Sequence, residues 1–331
     1  AADATFDEIV DNLRAVTTTW GAGKNTEIIW GHPNSVQWYG MCALPARWYG
    51  WNGRYSLAID MINDFFMSDG SPSRPLEEWF ASKKFSAEAG NGTIANTFWM
   101  FVDREPRFYA SVHFPNKRLS YAYENKTDSY QDADGYGVVD FWYSGLSGNG
   151  STPGDKNTSG FSVRKNLPLD YRSNKQTSEA TRMLNVPFPI IRLGEVYLNY
   201  AEALNEYYGT SRQDEALYYL NEIRTRAGIP AYEGSYSQDE MREMIRHERK
   251  IELAWECNRY FDVRRWFHGP DGEFNHDEYG LDMSRGTGAT DPAFFTLTKV
   301  ANKRFDIQHY FLPIKSSEVM LNTQLVQAPY Y

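Results

Sequence analysis

The chain has 331 residues, a formal net charge of −9 and a mean hydropathy of −0.61. Its Lys and Arg residues are interleaved with acids rather than clustered, so nucleic acid is not an expected partner. No stretch approaches the ~20 apolar residues that a membrane-spanning helix needs. Two cysteines are too few for a disulfide framework and have no metal-binding spacing.

Aromatic residues make up 16% of the sequence, with 23 Tyr and 10 Trp. We expect most of them in the core. Trp and Tyr also provide flat apolar rings with a polar edge, onto which the C–H faces of sugar rings can stack. A neutral ligand fits the acidic charge balance better than a polyanion does.

The first half of the sequence predicts short helices around an aromatic loop. Residues 1–16 place apolar side chains on one helical face, and residues 27–30 predict an extended segment. Glycine and proline are frequent in residues 20–55, which predicts a loop. Residues 56–67 predict a helix, and the alternating pattern in residues 109–114 predicts a strand.

A glycine- and serine-rich stretch at residues 144–160 predicts a flexible surface loop. After it, residues 190–228 predict a pair of antiparallel helices. The first ends at Gly209, and Thr210 with Gln213 suggests a capping box for the second. Such a pair is the unit of tetratricopeptide-type repeats, of which about three are needed for a stable stack. We therefore expect further repeats outside this chain.

A third helix is predicted over residues 237–267. Ser237 and Glu240 have the spacing of a capping box at its start. Cys257 lies in an apolar context within it and is expected to be a small buried residue. Residues 268–331 predict an irregular tail of loops and short pieces.

Several segments, in this order, resemble the SusD/RagB family. Residues 189–204 (Pro-Ile-Ile-Arg-Leu-Gly-Glu-Val-Tyr-Leu-Asn-Tyr-Ala-Glu-Ala-Leu) are similar to the family's signature helix, and residues 220–228 are similar to the next helix. Residues 246–256 (Arg-His-Glu-Arg-Lys-Ile-Glu-Leu-Ala-Trp-Glu), continued by 264–266, resemble its most specific motif. Residues 310–314 resemble its C-terminal signature.

The resemblance implies a mostly α-helical, SusD-like fold with tetratricopeptide-type helix pairs, long irregular loops and few short strands. Residues 1–331 would be the C-terminal part of a single domain of this kind. The family consists of cell-surface lipoproteins of the outer membrane. We therefore expect a lipid anchor whose attachment residue lies outside this chain.

The resemblance also implies a non-catalytic protein without a cofactor. It would bind oligosaccharide or polysaccharide and deliver it to a TonB-dependent, SusC-like outer-membrane transporter. One alternative is a peptide-binding, RagB-like member of the same kind of complex. A helical glycoside hydrolase is a further alternative, and it would need two separated acids in an aromatic cleft.

The candidate ligand site lies in the aromatic loop. Its residues are Trp38, Tyr39, Trp48, Tyr49, Trp51, Asn52 and Arg54. The rings can stack on a sugar, and the amide and guanidinium groups can hydrogen-bond its hydroxyls. Loops on a rigid scaffold commonly carry binding residues. The alternative interpretation is that these rings only pack the loop onto the helices.

A second charged set lies in the third helix. It consists of Glu248, Arg249, Glu252, Arg259, Asp262, Arg264 and Arg265. Glu248 and Glu252 are four residues apart on one helix face. Two glycosidase carboxylates flank a sugar bond from opposite sides, about 5–9.5 Å apart, and neighbours on one helix rarely do so. The nearby arginines would also lower carboxyl pKa values. We therefore predict a structural ion-pair network and no catalytic residue.

Two near matches to metal motifs fail. Residues 247–251 lack the second histidine of the zinc motif, and residues 132–135 lack the acids that begin and end a calcium loop. The sequence therefore predicts no metal site, and a partial calcium site in the oxygen-rich loop at residues 132–135 is the alternative.

Overall fold

The computed structural model of the chain describes residues 4–19, 25–32, 43, 45, 55–122, 136–150, 157–167, 188–269 and 274–331. The near match to a calcium loop at residues 132–135 lies outside these residues.

Helices are the main element type in this structure, and the mostly α-helical fold is confirmed. The described α-helices are α1 Phe6–Thr18, α2 Ile59–Asp64, α3 Leu76–Ser82, α4 Pro106–Ser111, α5 Leu193–Tyr208, α6 Gln213–Arg226, α7 Gln238–Glu252, α8 Arg259–Arg265 and α9 Ser316–Leu321. Short 3-10 helices span Trp99–Phe101, Gly209–Arg212 and Ile307–Tyr310. None of the described helices is both long and apolar enough to cross a bilayer.

The described strands are short and pair only two at a time. They are β1 Ile28–His32, β2 Val112–His113, β3 Arg118–Ala122, β4 Tyr136–Val138, β5 Ser162–Val163, β6 Phe188–Arg192, β7 Asp277–Leu281 and β8 Leu297–Asn302. They form the antiparallel pairs β1–β6, β2–β5, β3–β4 and β7–β8. All four pairs join segments that are far apart in sequence or separated by a long loop, so the strands hold these loops against the helical core.

Two apolar clusters form the interior. The larger one is rich in phenylalanine, and Phe101, Phe108 and Phe114 lie fully buried within it. The rings of Phe108 and Phe114 stack with their centroids 5.1 Å apart. The smaller cluster lies between α5, α6 and α7 and is mainly aliphatic, with Leu198 and Leu220 fully buried. Part of the high aromatic content is therefore core packing.

The predicted helix pair is present, with different boundaries at both starts. Residues 188–192 form β6 against β1, so α5 begins only at Leu193. The helix ends at Tyr208, before Gly209, as predicted. The capping box at Thr210 and Gln213 is wrong: a 3-10 turn joins the helices, and no side chain caps α6.

The capping box at the start of α7 is confirmed. The backbone N–H of Glu240 donates to Ser237 Oγ at 3.2 Å, and the N–H of Ser237 donates to Glu240 Oε2 at 2.7 Å. This reciprocal pair satisfies two backbone donors that a helix start otherwise leaves unpaired.

The single helix predicted over residues 237–267 is wrong, because α7 ends at Glu252 and α8 starts seven residues later. Between them, Trp255 has φ of 60° and Cys257 has φ of 67°, a left-handed conformation that cannot continue an α-helix. Neither tryptophan nor cysteine favours that conformation, so the residue types did not predict the break. Cys257 is also exposed, contrary to the buried position predicted for it.

Two further predictions need correction in the middle of the chain. Residues 109–111 belong to α4 rather than to a strand, because Pro106 starts a helix in the position where proline is favoured. The surface loop predicted at residues 144–160 is partly buried: Ser147 is fully buried, and its backbone N–H donates to Asp140 Oδ1 at 3.1 Å.

The tail predicted to be irregular over residues 268–331 contains the β7–β8 hairpin and α9. The hairpin packs against α2, far away in sequence. This contact places the hairpin at one side of the groove described next.

Candidate ligand groove

A groove opens where the chain leaves the aromatic segment. Tyr55 is the last residue of the aromatic loop predicted over residues 20–55, and it lines the groove. The first half of the groove has a volume of about 710 Å³. Its lining is mostly apolar and includes Tyr55, Leu57, Val163, Leu253, Trp255 and Phe261. Tyr260 and Phe261, on α8, keep 43% and 64% of their surface exposed, so their rings are open to a ligand.

The second half of the groove is more polar than the first and has a volume of about 380 Å³. Side chains from α2, α7 and the β7–β8 hairpin line it, among them Asp60, Lys250, Phe274, His276, Glu278 and Lys303. Ser56, Leu57, Trp255, Arg259 and Tyr260 line both halves. The two halves therefore form one continuous surface that is aromatic at one end and charged at the other.

The shared wall is the turn between α7 and α8, which carries unfavourable backbone conformations. Trp255 and Cys257 both have positive φ, which costs on the order of 1–2 kcal/mol for a residue with a side chain. Such conformations persist only where the surrounding structure enforces them, and they cluster at binding and catalytic sites.

The enforcement comes from buried ion pairs on either side of the turn. Arg192 donates from Nε and Nη2 to the two carboxylate oxygens of Glu256, at 2.6 and 2.9 Å. Its Nη1 donates to Glu252 Oε1 at 2.8 Å. Lys165 Nζ donates to the backbone carbonyl of Glu252 at 2.7 Å. Glu252 and Glu256 are thus fixed on the buried side, and the residues between and beside them form the groove wall.

The electrostatics of Glu252 and Arg192 favour their charged forms, whereas burial lowers the pKa of Lys165. Burial alone would raise the pKa of Glu252, but Arg226, Arg192 and Arg107 hold that pKa well below its usual range. Burial would likewise lower the pKa of Arg192, yet Glu256 and Glu252 raise it well above its usual value. A buried carboxylate with a depressed pKa is a poor general acid, so this cluster supports the fold rather than proton transfer.

The seven charged residues singled out in the sequence fall into three groups. Glu248 and Glu252 lie in the buried cluster beneath the groove, where Glu248 pairs with Arg107 and Arg224. Arg249 donates to Asp262 at 2.9 and 3.2 Å and thereby joins α7 to α8, and Arg265 donates to the same carboxylate at 2.9 Å.

The remaining two arginines of that set contact aromatic rings. The guanidinium of Arg264 lies 3.4 Å from the ring centre of Tyr260, and that of Arg259 lies 5.3 Å from the ring centre of Trp266. Arg264 thereby orients one of the open rings of the groove.

The aromatic-loop residues predicted to bind ligand lie outside the described part of the chain. They are Trp38, Tyr39, Trp48, Tyr49, Trp51, Asn52 and Arg54. Sequence reasoning missed the groove residues Trp255, Tyr260 and Phe261, which it assigned to a continuous helix. The sequence did carry one signal of a break in the helix. Asn258, a residue type that disfavours helix interiors, stands two residues before the neighbouring aromatics Tyr260 and Phe261.

Among the described residues, no three or more His, Cys, Asp or Glu side chains are arranged to hold a metal ion. The residues that line the groove offer rings for stacking together with hydrogen-bonding and charged groups.

Comparison with known proteins places the chain in context. The SusD family model matches residues 16–331. A SusD-like protein from Bacteroides ovatus is 28% identical over 162 residues, which cover 42% of this chain and 29% of that protein. SusD-like protein P2 from Formosa agariphila is 42% identical over 84 residues, 23% of this chain and 16% of the relative.

Solved structures show the same fold. A SusD-like protein from Bacteroides fragilis superposes with a TM-score of 0.73 at 26% identity, covering 97% of this chain and 57% of its own. A SusD-like carbohydrate-binding protein from the same species gives a TM-score of 0.61 at 22% identity, covering 90% of this chain and 54% of its own. This chain thus spans little more than half the length of either solved chain. Because the family model covers nearly its whole sequence, the chain belongs to the SusD family.

Proposed function

We propose that this chain binds oligosaccharide or polysaccharide without cleaving it and delivers it, at the cell surface, to a TonB-dependent, SusC-like transporter. The protein would be held at the outer membrane by a lipid anchor outside this chain. Membership of the SusD family supports the role, and the groove supplies a surface that suits it.

The observation that carries the proposal is the enforced aromatic wall of the groove. Open rings at Tyr260 and Phe261 stand beside a turn that buried ion pairs hold in an unfavourable conformation. Rings on a rigid support are suited to stacking, because a ligand does not have to immobilise them. The adjoining polar half offers hydrogen-bonding groups for hydroxyls.

Affinity gel electrophoresis on a panel of neutral and acidic polysaccharides tests the proposal. Phe261→Ala and Tyr260→Ala should each weaken retention of the bound polysaccharide by about tenfold, the loss expected for one buried stacking contact. The matched control is Trp99→Ala, which removes an exposed aromatic ring outside the groove. Equal retention of all four proteins would place the ligand elsewhere, and Trp48→Ala and Trp51→Ala would then test the aromatic loop.

Two alternatives make different predictions in the same samples. A peptide-binding protein would retain no polysaccharide and would bind peptides in the apolar half of the groove. A glycoside hydrolase would release reducing ends, and Asp60 and Glu278, the carboxylates of the polar half, would be its candidate acids. Release of reducing ends that Asp60→Asn abolishes would overturn the non-catalytic assignment.

A further inference from the structure

The two halves of the groove offer different chemistry to a ligand. We propose that the chain binds glycans that carry an apolar substituent, an acyl or aromatic ester, with the sugar in the polar half and the substituent in the apolar half. This inference rests on the proposed function and deepens it, since it names the class of glycan that the groove takes.

The apolar half offers few groups that can bond to a sugar hydroxyl. Leu57, Val163 and Leu253 are buried beneath it and carry no side-chain donor or acceptor. Ser56 Oγ already accepts a backbone N–H hydrogen bond at 2.9 Å. Among the described residues that line this half, only Arg259 has a charged side chain, and it lines the polar half as well.

A bare sugar ring is poorly matched to such a lining. It carries hydroxyls on most of its ring carbons, and a hydroxyl that leaves water without a new partner is unfavourable. An ester group has no donor to satisfy, and its carbon chain or ring gains free energy in proportion to the apolar area that it buries. The lining therefore favours an apolar substituent over a second bare sugar.

The apolar half also has the size and the access for such a group. Its volume of about 710 Å³ lies within the range of ~300–1,000 Å³ that is typical of small-molecule sites. Tyr55 and Phe261 line it with exposed rings, so a substituent can reach them without any rearrangement of the core. An aromatic ester can pack against these rings in an offset or edge-to-face arrangement.

The wall that the two halves share determines where the sugar meets its substituent. Trp255 and Tyr260 line both halves. On the polar side, His276 and Lys303 keep part of their side chains exposed and can bond to hydroxyls. A ligand seated across the wall would place its sugar on that side and its substituent beside Phe261.

On the ligand side, the test compares each glycan with and without its esters. Acetylated xylan, acetylated glucomannan and feruloylated arabinoxylan are run in affinity gels beside the same polysaccharides after de-esterification in mild alkali. Any other polysaccharide that the protein retains is compared before and after partial acetylation. We expect the esterified form to be retained about tenfold more strongly, the gain expected for burying one small acyl group.

On the protein side, the test places a charge in the apolar half. Cys257 is exposed and lines this half, so Cys257→Asp adds a carboxylate there without entering the core. Aspartate also tolerates the positive φ of 67° at this position better than most residues. The matched control, Ala203→Asp, adds the same charge at an exposed position of α5 outside the groove. Cys257→Asp should abolish the preference for the esterified form, and Ala203→Asp should preserve it. Thermal melting of both variants checks that they remain folded.

The outcomes separate this inference from the proposed function. Equal retention of the esterified and de-esterified forms, or weaker retention of the esterified form, overturns the inference and leaves glycan binding intact. A preference for esters that Cys257→Asp does not reduce places the substituent outside the apolar half, and it also overturns the inference. Retention of no polysaccharide, esterified or bare, overturns both.

Discussion

Two buried charged regions of this molecule differ in how their charges are balanced. Beneath the groove, Glu252 is surrounded by arginines that hold its pKa well below the usual value of 4.5. In the phenylalanine-rich core, burial lowers the pKa of His113 well below 6.5 and that of Lys117 well below 10.5. Lys117, Arg164 and Arg14 act on His113, and the two arginines also act on Lys117, so the neighbouring charges are all cations.

The comparison shows that burial alone does not decide the protonation state. Around Glu252 the opposite charges outweigh desolvation, so the acid stays ionised. At His113 desolvation and the neighbouring cations act in the same direction, so the ring stays neutral. Neither ring nitrogen of His113 has a hydrogen-bond partner among the described residues. The first region is stabilised by contacts between opposite charges, whereas the second favours the neutral form of His113.

Removing one charge from the ion-pair cluster around Glu252 should lower the free energy of unfolding more than any other change proposed here. Glu252→Gln leaves Arg192 and Arg226 facing a neutral group in a buried site. We expect a loss of about 3–5 kcal/mol in the free energy of unfolding, measured by urea denaturation. Glu222→Gln, at an exposed position of α6, is the control and should change it by less than about 0.5 kcal/mol. A similar small change for both would mean that the cluster adds no stability.

The region around His113 should make the stability of the protein depend on pH. Because folding lowers the pKa of His113 below 6.5, the unfolded chain binds more protons just below that pH. Stability should therefore fall as pH drops below about 6.5, by up to about 1.4 kcal/mol per pH unit. Glu252 acts in a separate window, since its contribution is lost only as pH falls below about 4.5.

His113→Leu should flatten the dependence of the melting temperature on pH between 7.5 and about 5, because leucine fills a similar volume and does not titrate. An unchanged slope in this variant would assign the acid sensitivity to other groups.

Removing a local contact outside both regions should lower the free energy of unfolding by about 1 kcal/mol. Ser237→Ala removes the confirmed cap of α7 and should destabilise the protein by about 1 kcal/mol. Thr210→Ala removes a hydroxyl that sequence alone assigned as a cap and the structure does not use as one. Equal losses in urea denaturation for the two variants would contradict this distinction.

The smallest effect is expected for an ion pair at the surface. Arg242 bonds the carboxylates of Glu206 and Asp239, and both acids are substantially exposed. Solvent screens such pairs, so Arg242→Ala should cost less than about 1 kcal/mol. A loss as large as that of Glu252→Gln would show that burial is not what separates the two kinds of pair. High salt should reduce the effect further.

The helices α5, α6 and α7 were predictable because their signals are local. Apolar residues recur every three to four positions, and Ser237 stands three residues before Glu240. The charged set in α7 and α8 was also visible, because acids and arginines are dense there. Its partners Arg107 and Arg192 were not assigned to it, since they lie far away in sequence.

The groove was not predictable for a related reason. Its wall combines Leu57, Val163 and Trp255, which no periodic pattern connects. The turn at Trp255 and Cys257 has backbone conformations that their residue types disfavour, so tertiary contacts decide them. The β7–β8 hairpin was missed because its strands are separated by a long loop rather than a tight turn.

The ion pairs around Arg192 have a consequence for how a ligand preference could change. A wall fixed from below has little freedom to adapt its shape to a new ligand, so the position of Trp255 is set before any ligand arrives. Variation at Glu252 or Glu256 would disturb folding before it altered recognition. Relatives that bind different ligands should therefore diverge first at the exposed rim, where a residue such as Phe261 can be exchanged without loss of the scaffold.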